Sequence, residues 1–295
     1  MKIKISALTD TGIERPNNED AFVFCPNLTD ANWNIDDMPS YIPLGKFGSL
    51  LIVADGMGGA NAGEVASATA INSIKDSFNG SDLEAISKSE QDICYFLNKV
   101  ANAANDAVCK KMIEDPKTNG MGTTIVICWV INDMAYIAWC GDSRCYLYNP
   151  RKGLKLLTKD HSYVQELIDK GEITEEEAFT HPDNNIVTKV VGELGMMLLP
   201  DITSLKLEPN DYLLLCSDGL CGLCNFDQIE NVLMSSYRNI KACRDNLLNL
   251  ALDAGGSDNI TIMLASLFSD TQEKPISLPM LSSIKQSLKR FFGKA

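Results

Sequence analysis

An α+β fold is the class this sequence predicts, and three observations predict it. Strand-like runs follow one another: "GTTIVICWV" (122–130) leads through Asn132-Asp133 into "MAYIAWCGDSRCYLY" (134–148), read as one further strand, and "NPRKG" turns that into "LKLLT" (154–158). Tight turns between β-branched and aromatic runs make such neighbours antiparallel. Helical period is confined to other stretches, "AGEVASATAINSIKDSF" (62–78), "DLEAISKSEQDICYFLNKVANAANDAVCKKMIE" (82–114) and later "KACRDNLLNLALDAG" (241–255). Strands cluster and helices cluster, which argues against the regular alternation of a doubly wound parallel sheet.

The remaining elements fall into place in chain order. "AFVF" (21–24) reads as an early strand. Residues 25–48, "CPNLTDANWNIDDMPSYIPLGKFG", carry neither period and read as a long irregular insertion between strands. The apolar run "LLIVA" (50–54) is a strand that stops at Asp55, "YLLLC" (212–216) is one that stops before Asp218, and "ITIMLA" (260–265) is one that starts after Asp258.

With 295 residues and 45% hydrophobic content the chain can bury a sizeable core. It contains no run of 18 apolar residues, and "MKIKISALTD" at its start lacks the apolar stretch of a signal peptide, so a soluble, cytoplasmic protein is expected. Ten cysteines sit mostly inside apolar runs, where a free thiol behaves as a small hydrophobe. Cys221 and Cys224 in "CGLC" are a lone close pair; zinc would need two more ligands, the chain has two histidines, and packing is the better reading. The formal net charge of −13 repels nucleic acid phosphates and disfavours DNA or RNA as partners. Residues 275–295 carry four basic residues and no acid, +4, which leaves −17 on residues 1–274. The expected organisation is therefore a domain over residues 1–270 and a basic tail over 271–295.

Chemistry concentrates where strands end. "LLIVADGMGGANAGE" (50–64) has the glycines of a phosphate-binding loop but no lysine to follow them. A carboxylate can approach a phosphate through a cation, so Asp55 points to a metal. Asp142 in "WCGDSRCY", Asp218 in "CSDGL" and Asp258 in "GGSDNIT" repeat the pattern, and "TDTGIERPNNEDAFVF" (9–24) adds Arg15, Glu19 and Asp20. Any single Asp-Gly reads as a turn. Several together cannot be buried without a counter-charge, since each unpaired ion costs several kcal/mol. Oxygen ligands without histidine or cysteine suit Mg²⁺ or Mn²⁺ rather than Zn²⁺, and the forked guanidinium of Arg15 suits a phosphate.

In the order "DTGIERPNNEDAF", "VADGMGGANAGEVAS", "GMGTTIVICWV", "WCGDSRCYLY", "LLTKDHSYVQELIDKGEITEEEA", "NDYLLLCSDGLCGL" and "GGSDNITIMLA", the chain resembles the metal-dependent protein serine/threonine phosphatases of type 2C, in their bacterial form, over about residues 5–267. The resemblance implies a four-layer sandwich: two antiparallel β-sheets flanked by α-helices on both outer faces. It implies hydrolysis of phosphoserine and phosphothreonine on proteins by a hydroxide bridging two ions, Mg²⁺ or Mn²⁺. By motif match Asp55 bridges both ions, the Gly56 carbonyl ligates one, Asp218 and Asp258 hold the other, Glu19 acts through water with Asp20 in support, and Asp142 joins Asp218 at a third, weaker metal position. Arg15 orients the phosphate. Some members carry a histidine two residues after the bridging aspartate; here that position is Met57, which cannot donate a proton, so the general acid is left unassigned, with a metal-bound water as the candidate.

His161 in "KDHS" reads as a connector, His181 as a loop residue, and the acidic segment 162–200 as the family's variable flap. In the tail, Leu281, Ile284, Leu288, Phe291 and Phe292 alternate with basic residues at helical spacing, an amphipathic helix suited to the catalytic domain, an anionic membrane or a partner surface. The expected partners are phosphorylated proteins and an opposing serine/threonine kinase, and the expected state is a monomer. Two other classes compete: a phosphatase-like module that binds phosphorylated partners without cleaving them, which Met57 keeps open but the complete acidic set argues against, and a two-metal nuclease, which the charge of −17 disfavours.

Overall fold

Apolar runs such as "LLIVA" are continuous because their strands are covered on both faces. A computed structural model describes residues 1–58 and 62–269 of the chain. The strands are β1 (Lys2–Asp10), β2 (Ala21–Cys25), β3 (Ile42–Pro43), β4 (Ser49–Ala54), β5 (Gly56–Met57), β6 (Gly122–Thr123), β7 (Ile125–Ile131), β8 (Met134–Cys140), β9 (Arg144–Asn149), β10 (Gly153–Leu156), β11 (Asp201–Lys206), β12 (Tyr212–Cys216) and β13 (Ile260–Phe268). The helices are α1 (Ala62–Asn79), α2 (Leu83–Ile86), α3 (Glu90–Glu114), α4 (Tyr163–Asp169), α5 (Glu175–Phe179), α6 (Asp218–Cys221), α7 (Phe226–Ser236) and α8 (Ile240–Asp253).

Two antiparallel sheets form, one in the order β10-β9-β12-β13-β1-β3 and one in the order β11-β8-β7-β4-β2, with β5 and β6 as a separate short pair. Leu51 and Val53 of β4 point between the sheets, where they join Ile3, Ile5, Leu213 and Met263. Their neighbours Leu50 and Ile52 point the other way, onto Ala66, Ile74 and Phe78 of α1 and Leu97 and Val100 of α3. On the far side Leu214, Ile262 and Leu264 meet Ile229 and Leu233 of α7 and Leu247 of α8. The order is helix, sheet, sheet, helix, the four layers expected. Phe78, Phe96 and Trp129 lock the first helical layer edge to face, with Phe78 5.0 Å from Phe96 and 5.2 Å from Trp129.

Two elements differ from the sequence reading. Residues 134–148 are two strands, not one: the chain leaves one sheet at Cys140 and enters the other at Arg144, turning at Gly141 with φ +109°. Residues 82–114 are likewise two helices, because Ser89 takes an extended conformation and caps α3 through the Asp92 backbone N–H. The insertion 25–48 is irregular, as expected, but anchored: Asn34 pairs with Phe24, β3 extends the sheet beyond β1, and Asp37 binds Ser6, the Ala7 backbone and the buried Arg244 of α8. Cys221 and Cys224 pack with Leu220 and Ile229, and all ten cysteines are free. No helix among the described residues is long and apolar enough to cross a membrane. The tail 271–295, expected to be an amphipathic helix, lies outside the described residues.

Candidate active site

Strand register brings the acidic residues to one end of the sandwich. Ala54 pairs with Ala21, which sets Asp55 beside Glu19 and Asp20, and Cys216 pairs with both Ile262 and Arg144, which sets Asp218 between Asp258 and Asp142. A residue just beyond a strand end is free of the ladder, so its side chain can turn toward the rim.

Hydroxyls then fix the carboxylates. Ser217 Oγ and Thr261 Oγ1 both donate to Asp20 Oδ2 at 2.7 Å, across 197 and 241 residues of sequence. The Asp55 backbone is held from both sides: its carbonyl accepts from Thr123 Oγ1 and the Thr124 N–H at 2.8 Å, and its N–H donates to Thr124 Oγ1 at 3.0 Å. Thr124 in turn meets Ser143, the neighbour of Asp142, at 2.7 Å, so one hydroxyl pair ties two acidic loops together. Asn259 accepts from the Glu19 N–H at 2.8 Å and donates to the carbonyls of Thr11 and Asn17, seating the segment before β2.

Two glycines of the opening motif are explained by close approach. A Cβ on Gly56 would lie 2.2 Å from the Gly63 carbonyl, and one on Gly63 would lie 2.5 Å from Glu19 Oε2. The Glu19 carboxylate faces the Gly63 backbone N–H in the first turn of α1, where helical N–H groups lack internal partners. Met57, in β5, lies opposite Gly122 and brings no proton donor.

The electrostatics are those of a crowded acidic centre. Burial, then the charges of Asp20, Asp218 and Asp142, holds Asp55 well above the usual carboxylate range, and burial with Asp218 does the same to Asp142. Asp218 is pushed up to about 6 by burial and Asp258, and Asp20 to about 7 by burial, against the pull of its two hydroxyl donors. Asp20 Oδ1 and Asp218 Oδ1 are buried with no hydrogen-bond partner. Buried acceptors without donors are costly, and a cation satisfies them.

The sequence-predicted residues Glu19, Asp20, Asp55, Gly56, Asp142, Asp218 and Asp258 thus converge. Arg15 stands at the rim, 52% exposed, with its guanidinium 2.7 Å from Asp258 Oδ2. Among the described residues no three His, Cys, Asp or Glu side chains already enclose a metal position by themselves. An all-oxygen donor set fits Mg²⁺ or Mn²⁺ nonetheless, because Mg²⁺ usually keeps several waters and needs only one or two carboxylates. Thr123, Thr124, Ser143, Ser217, Asn259 and Thr261 were not singled out from sequence; their signal was adjacency to the acidic motifs, in "GTT", "GDS", "CSD" and "SDNIT".

His161 is the connector expected. Its Nδ1 accepts from the Gly141 N–H at 3.0 Å, its ring stacks on Trp139, and its Nε2 faces Lys189. Burial and Lys189 lower its proton affinity, so the ring is neutral and fixes the turn that carries Asp142. A groove of about 730 Å³ runs from Asp142, Asp218 and Asp258 out between the segment bearing α4 and α5 and the turn between α6 and α7.

A family model described as Protein phosphatase 2C matches residues 36–254. Protein phosphatase PhpP of Streptococcus pneumoniae is 31% identical over 271 residues, covering 92% of this chain and 100% of that protein. Among solved structures, the S. agalactiae serine/threonine phosphatase superposes with a TM-score of 0.76 at 32% identity, covering 90% of this chain and 99% of that one. The catalytic domain of serine/threonine protein phosphatase PstP in complex with two manganese ions superposes with a TM-score of 0.70 at 28% identity, covering 91% of this chain and 99% of that one.

Proposed function

The chain belongs to the protein phosphatase 2C family and is a protein serine/threonine phosphatase, and from that premise we propose how its own residues carry the reaction. Asp55, Asp218, Asp258 and the Gly56 carbonyl would hold two divalent cations, Mg²⁺ or Mn²⁺; Glu19 and Asp20 would support them, and Asp142 with Asp218 would offer a third, weaker position. The complex of PstP with two manganese ions supports this reading. Bound ions of this kind neutralise the carboxylates, polarise phosphoryl oxygens and make water nucleophilic at neutral pH.

The protein's part is placement. Ser217 and Thr261 orient Asp20, Thr123 and Thr124 hold the Asp55 backbone, and Asn259 seats Glu19, so the acceptors are preorganised before substrate arrives. Arg15, half-exposed beside Asp258, offers its remaining N–H groups to the phosphate of a phosphoserine or phosphothreonine and offsets charge as the ester bond breaks. Residues 1–270 form the catalytic domain, acting as a monomer in the cytoplasm on phosphoproteins made by a serine/threonine kinase.

The observation that carries this reading is the convergence of Asp20, Asp55, Asp142 and Asp218 with two buried oxygens left unpaired. Turnover of a phosphothreonine peptide by chelator-stripped protein tests it. The expected result is release of phosphate only when Mn²⁺ or Mg²⁺ is restored, with none from Asp218→Ala. Full turnover without added metal would contradict it, and tight peptide binding without release would favour a binding module instead.

A further inference from the structure

We propose that the groove leading out of the acidic centre is a subsite for a long basic side chain, arginine or lysine, next to the phosphorylated residue of the substrate. The inference rests on the phosphatase reading and adds to it a substrate class. A groove of about 730 Å³ that reaches Asp142 and Asp218 is far larger than a phosphoryl group needs, so its outer part is shaped for neighbouring peptide.

The walls state what that part accepts. Apolar surface from Val164 and Ile168 of α4 and from Phe226 of α7 lines it, and acidic side chains stand on both sides: Glu175 and Glu176 on α5, Asp227 on α7. All three acids are exposed, and none is in an ion pair among the described residues. Asp218, assigned to the metal centre, closes the inner end. The cation lining the groove, Arg144, is already engaged: it grips Asp160 through Nε and Nη2 and meets the Tyr146 hydroxyl at 3.2 Å. An acidic or phosphorylated neighbour would therefore meet three free carboxylates and, among the lining residues, no free cation. A methylene stem along the apolar wall with a cationic head between the acids matches both features. Opposed charges at an open rim act through encounter and selectivity more than through raw affinity.

The test compares kcat/KM for two phosphothreonine peptides that differ only in flanking arginines or glutamines, with p-nitrophenyl phosphate as a substrate too small to reach the groove. The native protein should favour the arginine peptide about tenfold at low salt, mostly through KM, and the preference should shrink in 0.5 M salt as exposed charges are screened. Glu175→Gln/Glu176→Gln/Asp227→Asn should abolish the preference and leave p-nitrophenyl phosphate turnover unchanged. Because neutralising two acids in the first turn could loosen α5, Asp227→Lys on the opposite wall is the second variant, and it too should erase most of the preference. Equal kcat/KM for the two peptides, with p-nitrophenyl phosphate turned over normally, overturns the subsite; a preference that survives in both variants does the same. A native protein that turns over none of the three substrates with metal overturns the phosphatase reading, and the subsite with it.

Discussion

Asp55→Asn is expected to lower kcat/KM by at least about a thousandfold while raising the melting temperature of the metal-free protein. The first effect follows because Asp55 is the residue assigned to both ions. A thousandfold loss corresponds to about 4 kcal/mol of transition-state stabilisation, the scale of one preorganised electrostatic contact in a water-poor site. The second follows because Asp55 stands among Asp20, Asp218 and Asp142 and is held well above the usual carboxylate range by burial and their charges. Asparagine removes one acid from the group and with it the repulsion among the buried carboxylates. Relief on the order of 1–2 kcal/mol, a few degrees in melting temperature, is expected. Activity kinetics and thermal melts in chelator check the two together. Loss of activity accompanied by a lower melting temperature would show that Asp55 serves the fold and not the chemistry.

The metal-free protein should also become less stable as pH rises from about 4 to about 7, and Mn²⁺ should reverse that loss. Folding raises Asp218 from 3.8 to about 6 and Asp20 to about 7, so between those values the folded chain holds protons that the unfolded chain has released. The unfolded state then binds fewer protons, and stability falls with increasing pH. For Asp218 alone the change corresponds to about 3 kcal/mol once both states are ionised. The contribution is fully present below 3.8 and lost as pH passes through the folded-state values. Denaturant unfolding at pH 5 and pH 7.5, with chelator and with Mn²⁺, measures it. Stability that rises with pH in chelator would mean that the carboxylates are already paired within the protein.

Asp55, Asp218 and Asp258 were legible because each stops or starts an apolar strand, a local feature. Helices α1, α3 and α8 were legible from period, whereas α7 was not read and the layering came from the family resemblance. What the sequence hid was pairing at a distance. Nothing in "LLLCSD" says that Ser217 will donate to Asp20, and nothing in residues 25–48 says that Asp37 will meet Arg244 across 207 residues. These contacts exist only once register is set. The change of sheet at Gly141 was hidden for another reason: an apolar run on each side of "GDS" satisfies the strand pattern whether or not the chain changes sheet. The break before α3 rests on one capping hydroxyl, Ser89, which competed with a helical period that runs through it.

Carboxylates from five separate segments meet at one end of the sandwich, where divalent cations are expected to bind. Anomalous diffraction from crystals soaked in manganese measures that directly. Density is expected beside the carboxylates of Asp55 and Asp218, within about 2.0–2.3 Å of their oxygens. A fully occupied lattice with no anomalous peak at that end of the sandwich would contradict the account.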